Sequence, residues 1–322
     1  DGDGNDTING YINAQSDGNT DGSTNSDTVD FSSISSPSSI NVDLKTNNNA
    51  IISDGTTTTT ISLSNIENII GTNQNDLLIG NDEINTLLAG KGDDEIIGNS
   101  GADKLYGEEG DDTFKGSDFT GNTIDGGTSE ETFGDTIDYT NLSTSNVDLT
   151  LAENGAISNV TVGTQISDHT IANIENIKGS NTGNDSLVGN SSVNTIIGMG
   201  GNDIIDGGDG DDSLDGGSGT NTLEFNNVSS GVNVNLSGNS YTYETTTVNS
   251  NTAVSISTDT DSNGTNDTDI IYGANANEVF IGGNAADILM GRGGDDTLYG
   301  GNEDRVDDST SDTVSYEYLT GG

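Results

Sequence analysis

The sequence predicts an all-β chain wound as a parallel solenoid, a β-roll or β-helix whose regular tracts alternate with longer-stranded turns. Three observations predict it. A register of nine residues recurs along the chain, an apolar residue stands at one fixed place in each nine, and no window carries the 3.6-residue apolar stripe of a helix. Gly, Asn and β-branched residues fill the chain, and hydrophobic residues make up only 28% of it. The core such a composition can build is thin and repetitive.

The clearest regular tract starts at Gly71 and reads GTNQNDLLI, GNDEINTLL, AGKGDDEII, GNSGADKLY and GEEGDDTFK without an insertion. A second starts at Ser180 with SNTGNDSLV, GNSSVNTII, GMGGNDIID, GGDGDDSLD and GGSGTNTLE, and a third at Gly273 with GANANEVFI, GGNAADILM and GRGGDDTLY. Residues 2–9, GDGNDTIN, read as the end of a further unit. The sixth place of each block is Asp, Asn or Glu, and the eighth is apolar, from Leu78 and Leu87 to Leu298. That eighth residue belongs to a very short strand and points inward, while its neighbours point out. Two blocks then make one coil, so each loop faces the loop two blocks away.

Between the tracts, strand-like alternation appears at Ile40 to Leu44, Val147 to Leu149 and Val232 to Leu236. Asp27-Thr28-Val29-Asp30-Phe31 recurs as Asp135-Thr136-Ile137-Asp138-Tyr139 and again, changed, at Asp312 to Tyr316. Asn65-Ile66-Glu67-Asn68-Ile69 returns as Asn173-Ile174-Glu175-Asn176-Ile177, and the 108 positions from 67 to 175 equal twelve nonapeptides. This phase predicts one continuous solenoid: the end of a tract at 1–9, tracts at 71–127, 180–224 and 273–301, β segments between them at 10–70, 128–179 and 225–272, and a further segment starting at 302–322.

The formal net charge is −47, from 54 acidic against 7 basic residues. Such a chain resists compaction until its carboxylates are neutralised, and a divalent cation is the direct way to do so. The same charge excludes nucleic acid and anionic membrane surfaces as partners. No apolar run is long enough for membrane insertion, and the absence of cysteine removes disulfides and thiolate metal sites. A chain starting at Asp1 is expected to be a mature product or a fragment.

Calcium takes six to eight hard oxygen ligands, and a Gly-x-Gly-x-Asp turn supplies both carbonyls and a carboxylate. Glycine permits the positive φ that aims successive carbonyls at one point, as at Gly90 and Gly92 or Gly208 and Gly210. The expected ligand-bearing positions are Gly4 and Asp6; Asp76; Gly90, Gly92 and Asp94; Gly101 and Asp103; Gly110 and Asp112; Asp185; Gly201 and Asp203; Gly208, Gly210 and Asp212; Gly217 and Gly219; Asp287; and Gly294 and Asp296. Stacking two blocks apart sets Asp76 beside Asp94, Asp94 beside Asp112, Asp185 beside Asp203, and Asp103 beside Asn85.

These blocks resemble the GGxGxDxUx motif of the RTX family, the repeats-in-toxin or hemolysin-type calcium-binding nonapeptides. GGDGDDSLD at 207–215 and GRGGDDTLY at 291–299 are close matches. The resemblance implies folding triggered by calcium, several bound ions, and export by type I secretion to the extracellular space or the bacterial cell surface. Asn85, Asn194, Asn221 and Glu278 depart from it at the sixth place, and Gln74, Glu83, Ser192 and Ala285 at the fourth. Those sites are expected to be weaker or empty. A second kind of metal loop is suggested by Asp259, Asp261, Asn263, Thr265 and Asp267, which fit the start of an EF-hand-like loop. Its twelfth place is Ile270, where a Glu is expected, so a solvated polar loop is the alternative.

His169 is the one histidine, which excludes a His-based zinc protease site, and no Gly-x-Ser-x-Gly elbow occurs. Carboxylate pairs in a repeat array default to metal ligation or solvation, so no enzyme is expected. The Thr56 to Thr60 run reads as a loop or extended strand, and Tyr241, Tyr243, Tyr316 and Tyr318 as residues of a strand face. The functional expectation is an extracellular structural or adhesive module: a surface-layer, filament or adhesin segment that self-associates or stacks on neighbouring repeats. Two alternatives stand beside it. One is the accessory C-terminal module of an RTX enzyme or toxin, and the other is a calcium-dependent binder of cell-surface glycan or lipopolysaccharide.

Overall fold

The computed structural model describes residues 27–34, 38–116, 121–129, 131–142, 146–153, 158–163, 165–208, 212–219 and 221–224. It also describes the strands Thr7–Asn9, Asn233–Asn235, Ser255–Ser257, Ile270–Tyr272, Val279–Ile281, Ile288–Met290, Thr297–Tyr299 and Thr313–Ser315. Every element among the described residues is a strand, and no helix is long and apolar enough to cross a membrane. The chain divides into two compact units, Asp1–Asn141 with Asn154–Val160 and Ile166–Ile174, and Leu142–Glu153 with Thr161–Gln165 and Glu175–Gly322.

In the first unit, consecutive blocks alternate between two parallel sheets. One contains Asn68–Ile70, Thr86–Lys91, Lys104–Glu109 and Thr123–Ser129. The other contains Ser39–Asp43, Leu77–Ile79, Glu95–Ile97, Thr113–Lys115 and Thr136–Asp138. Pairing is parallel and joins the eighth residues two blocks apart, Leu78 with Ile96 and Leu87 with Leu105. The second unit repeats the pattern, with Leu187 against Ile205 and Ile196 against Leu214. This is the parallel β-roll that the nine-residue register predicts.

The core is one file of apolar side chains per sheet. Leu78, Leu87, Ile96, Leu105 and Phe114 are all 0% exposed. Their strand neighbours are half-buried, as a two-residue period with one inward face requires. Each buried Leu, Ile or Phe contributes about 1.5–3 kcal/mol. A three-residue strand therefore adds one such contribution per block, and the fold is stable only as a stack.

One departure from a purely parallel coil follows Ser39–Asp43, which turns back through the antiparallel strands Asn49–Ser53 and Thr58–Ser62. The first turn is fixed by Asp43. Its Oδ1 accepts the amides of Lys45 and Thr46 at 3.0 and 2.7 Å, its Oδ2 accepts Asn47 Nδ2 at 2.9 Å, and Asn48 takes a positive φ of 47°. Side chains of this kind nucleate tight turns. The Thr run of the sequence becomes the exposed outer strand of this excursion.

Candidate metal centre

The sixth-place residues are not simply near one another; each hydrogen-bonds to the next. The Asp76 amide donates to Asp94 Oδ1 at 2.6 Å, and the Asp94 amide to Asp112 Oδ1 at 2.8 Å. The Asp112 amide donates to Asp135 Oδ1 at 2.7 Å, although Asp135 lies 23 positions on, outside the nine-residue register. On the opposite edge, Asn85 donates to Asp103 Oδ1 and Asp103 to Asn122 Oδ1. The second unit runs Asp185 to Asp203 to Asn221, with Asn194 to Asp212 on its other edge. The pairs expected from stacking are thus brought together. Asp135 and Asn122 extend the files and were hidden from the sequence by the longer loops before them.

These files are buried. Asp94, Asp103, Asp112, Asp135, Asp203 and Asp212 are all at most 3% exposed. Their Oδ1 atoms serve the ladder, while Oδ2 of Asp94, Asp112 and Asp203 is buried with no hydrogen-bond donor. A buried carboxylate oxygen without a donor is costly. Burial accordingly pushes the Asp94 carboxyl up to about 9, helped by the charges of Asp112, Asp76 and Asp93 and opposed by the Asp76 amide. Burial likewise raises Asp112 and Asp203 to about 7 each. An added cation would remove this penalty.

Backbone conformation accounts for the missing donor. In these loops the second residue is left-handed: Gly90 at φ 115°, Glu108 at 80° and Met199 at 76°. Asn99 and Gly208 are likewise positive, before Asp103 and Asp212. The fourth-place glycines Gly92, Gly101, Gly110 and Gly201 are positive as well. A Cβ on Gly110 would overlap the Gly92 carbonyl, so loops of successive coils stack with backbone oxygens in close approach. A Cβ on Gly107 would overlap Asp112 Oδ2, which makes the first-place glycine part of the site. Hard carboxylate oxygens without donors, beside crowded carbonyls, form a donor set suited to calcium.

Other loops differ. Asp76 Oδ2 accepts the Thr72 amide at 2.6 Å, while its Oδ1 accepts the Ile40 amide at 2.8 Å and the Thr72 hydroxyl at 3.0 Å. Asp185 Oδ2 accepts the Ser180 amide at 2.7 Å and its Oδ1 the Val147 amide at 2.8 Å, with Ser180 Oγ within 3.2 Å of both oxygens. The expected positions Gly4, Asp6, Gly210, Asp287, Gly294 and Asp296 lie outside the described residues, as does the Asp259 to Asp267 loop.

A family model described as the RTX calcium-binding nonapeptide repeat (4 copies) matches residues 79–114, 188–223 and 272–306. These three stretches of the chain are RTX nonapeptide repeats. The RTX arrays bind calcium, several ions per array, and such repeats are structural units with no catalytic group of their own. A search of curated proteins found no match to the chain. The RTX matches cover the loops bearing Asp94, Asp103, Asp112, Asp203 and Asp212, and begin just after Asp76 and Asp185.

Proposed function

We propose that this RTX chain is a calcium-stapled structural segment of an extracellular protein, serving in a surface layer, filament or adhesin, and that it folds when calcium enters its loop files. Asp94, Asp103, Asp112, Asp203 and Asp212 hold the ions through their carboxylates, with backbone carbonyls of the flanking Gly90, Gly92, Gly101, Gly110, Gly201, Gly208, Gly217 and Gly219 turns. By register, the same role extends to Gly4, Asp6, Gly210, Asp287, Gly294 and Asp296. The observation that carries the reading is the buried Oδ2 of Asp94, Asp112 and Asp203, which has no donor. Bound calcium supplies positive charge to those oxygens and joins successive coils. A chain of net charge −47 with a core of single apolar files needs that neutralisation to compact.

Far-UV circular dichroism with light scattering tests the proposal, during a titration from chelator to about 10 mM calcium, above the range of extracellular modules. A cooperative gain of β signal with a smaller hydrodynamic radius is expected. Scattering that then rises supports self-association into a lattice or filament. A chain already folded in chelator would overturn calcium-driven folding.

A further inference from the structure

The loops fall into two classes, and one of them is closed by the protein's own side chains. In the open class the second residue is left-handed and its amide turns away from the sixth-place carboxylate, as at Gly90, Glu108 and Met199. In the closed class an amide of the loop instead donates to the sixth-place side chain: the second-place amides of Thr72, Asn81 and Asn190 to Asp76, Asn85 and Asn194, and the first-place amide of Ser180 to Asp185. The side chain of the same residue then accepts an amide from inside its own loop. Thr72 Oγ1 takes Gln74, Asn81 Oδ1 takes Glu83, Ser180 Oγ takes Gly183, and Asn190 Oδ1 takes Ser192, at 2.8 to 3.1 Å. None of these four residues has a positive φ.

We propose that Thr72 and Ser180 are locks that keep calcium out of their loops, so that Asp76 and Asp185, which match the metal motif, are structural caps and not ligands. The inference rests on the calcium reading of the open loops and assigns the ions among the loops of this chain. Both oxygens of Asp76 and of Asp185 already accept N–H or O–H donors, and the Thr72 and Ser180 amides occupy the Oδ2 atom that has no donor at Asp94, Asp112 and Asp203. The other two closed loops support it, because there Asn85 and Asn194 fill the same role with an uncharged amide. A loop that works equally well with Asn does not need the charge for an ion. The RTX family matches, starting at 79 and 188, also leave out the two locked aspartates. Each of these tracts therefore starts on two turns that close without metal, and the open loops stack on them as calcium arrives.

Native mass spectrometry of the full chain at saturating calcium counts the ions directly. Asp76→Asn and Asp185→Asn are expected to load the same number as the parent chain, and Asp94→Asn and Asp203→Asn at least one fewer. Loss of an ion in either of the first pair overturns the lock, as do equal counts in all four variants. The double variant Thr72→Gly with Gln74→Gly restores the motif as GGNGNDLLI and is expected to gain one ion, so an unchanged count also counts against it. A parent chain that takes up no calcium would instead overturn the calcium reading itself, and the lock with it.

Discussion

At the residue scale, the site depends as much on glycines as on carboxylates. Gly110 has φ 124°, and a Cβ there would run into the Gly92 carbonyl of the coil below. Gly110→Ala is therefore expected to destabilise the calcium-loaded fold by about 1–3 kcal/mol and to move the folding midpoint to higher calcium. Gly55, at φ 81° with open space where a methyl would sit, is the control. Gly55→Ala should cost about 1–2 kcal/mol through backbone strain alone and leave the calcium midpoint in place. Denaturant curves at fixed calcium, with calcium titrations beside them, separate the two effects. The glycine periodicity was readable in the sequence. What spacing could not reveal is whether a given Asp keeps an oxygen for an ion, because that depends on the second residue's amide, which Thr72 turns toward Asp76 and Gly90 turns away from Asp94.

At the element scale, the nine-residue period was enough to give strand positions, parallel pairing and the inward residue, because every block repeats the same local choice. It failed where the period breaks. The antiparallel excursion after Asp43 depends on side-chain bonds that close one turn, and Asp135 joins the file across a loop longer than nine. Phe114 tests how far each three-residue strand is held by its neighbours. It pairs with Ile96 on one side and Ile137 on the other and is fully buried. Phe114→Ala should cost about 3–5 kcal/mol, as for large core truncations. Hydrogen exchange should show the loss of protection strongest at 95–97 and 136–138, the two adjoining strands. A loss spread evenly over all strands would mean that the stack unfolds only as a whole.

At the scale of the whole molecule, protons and calcium should substitute for one another in the files. In the metal-free chain, burial holds Asp94 at about 9 and Asp112 and Asp203 at about 7, all above the ordinary carboxylate value near 3.8. A carboxyl raised on folding contributes stability that is fully present below its unfolded pKa and is lost as pH rises through the folded one. These groups thus favour the metal-free fold most below about pH 4, and that contribution is lost as pH rises to about 7 for Asp112 and Asp203 and to about 9 for Asp94. His169 acts in the opposite sense. Buried with its Nε2 3.0 Å from Tyr139 Oη, it is lowered by burial to about 4, so its contribution is present above 6.5 and lost as pH falls toward 4. In chelator, β signal is therefore expected to rise as pH falls from 9 to about 5, with His169 setting the lower limit. In saturating calcium the trend should reverse, because protons then compete with the ion for Asp94, Asp112 and Asp203, and the calcium midpoint should rise as pH falls. Circular dichroism across pH in both conditions reads the two slopes. Opposite signs would tie folding to charge neutralisation of the buried files, and a metal-free signal independent of pH would show that these carboxylates do not limit compaction.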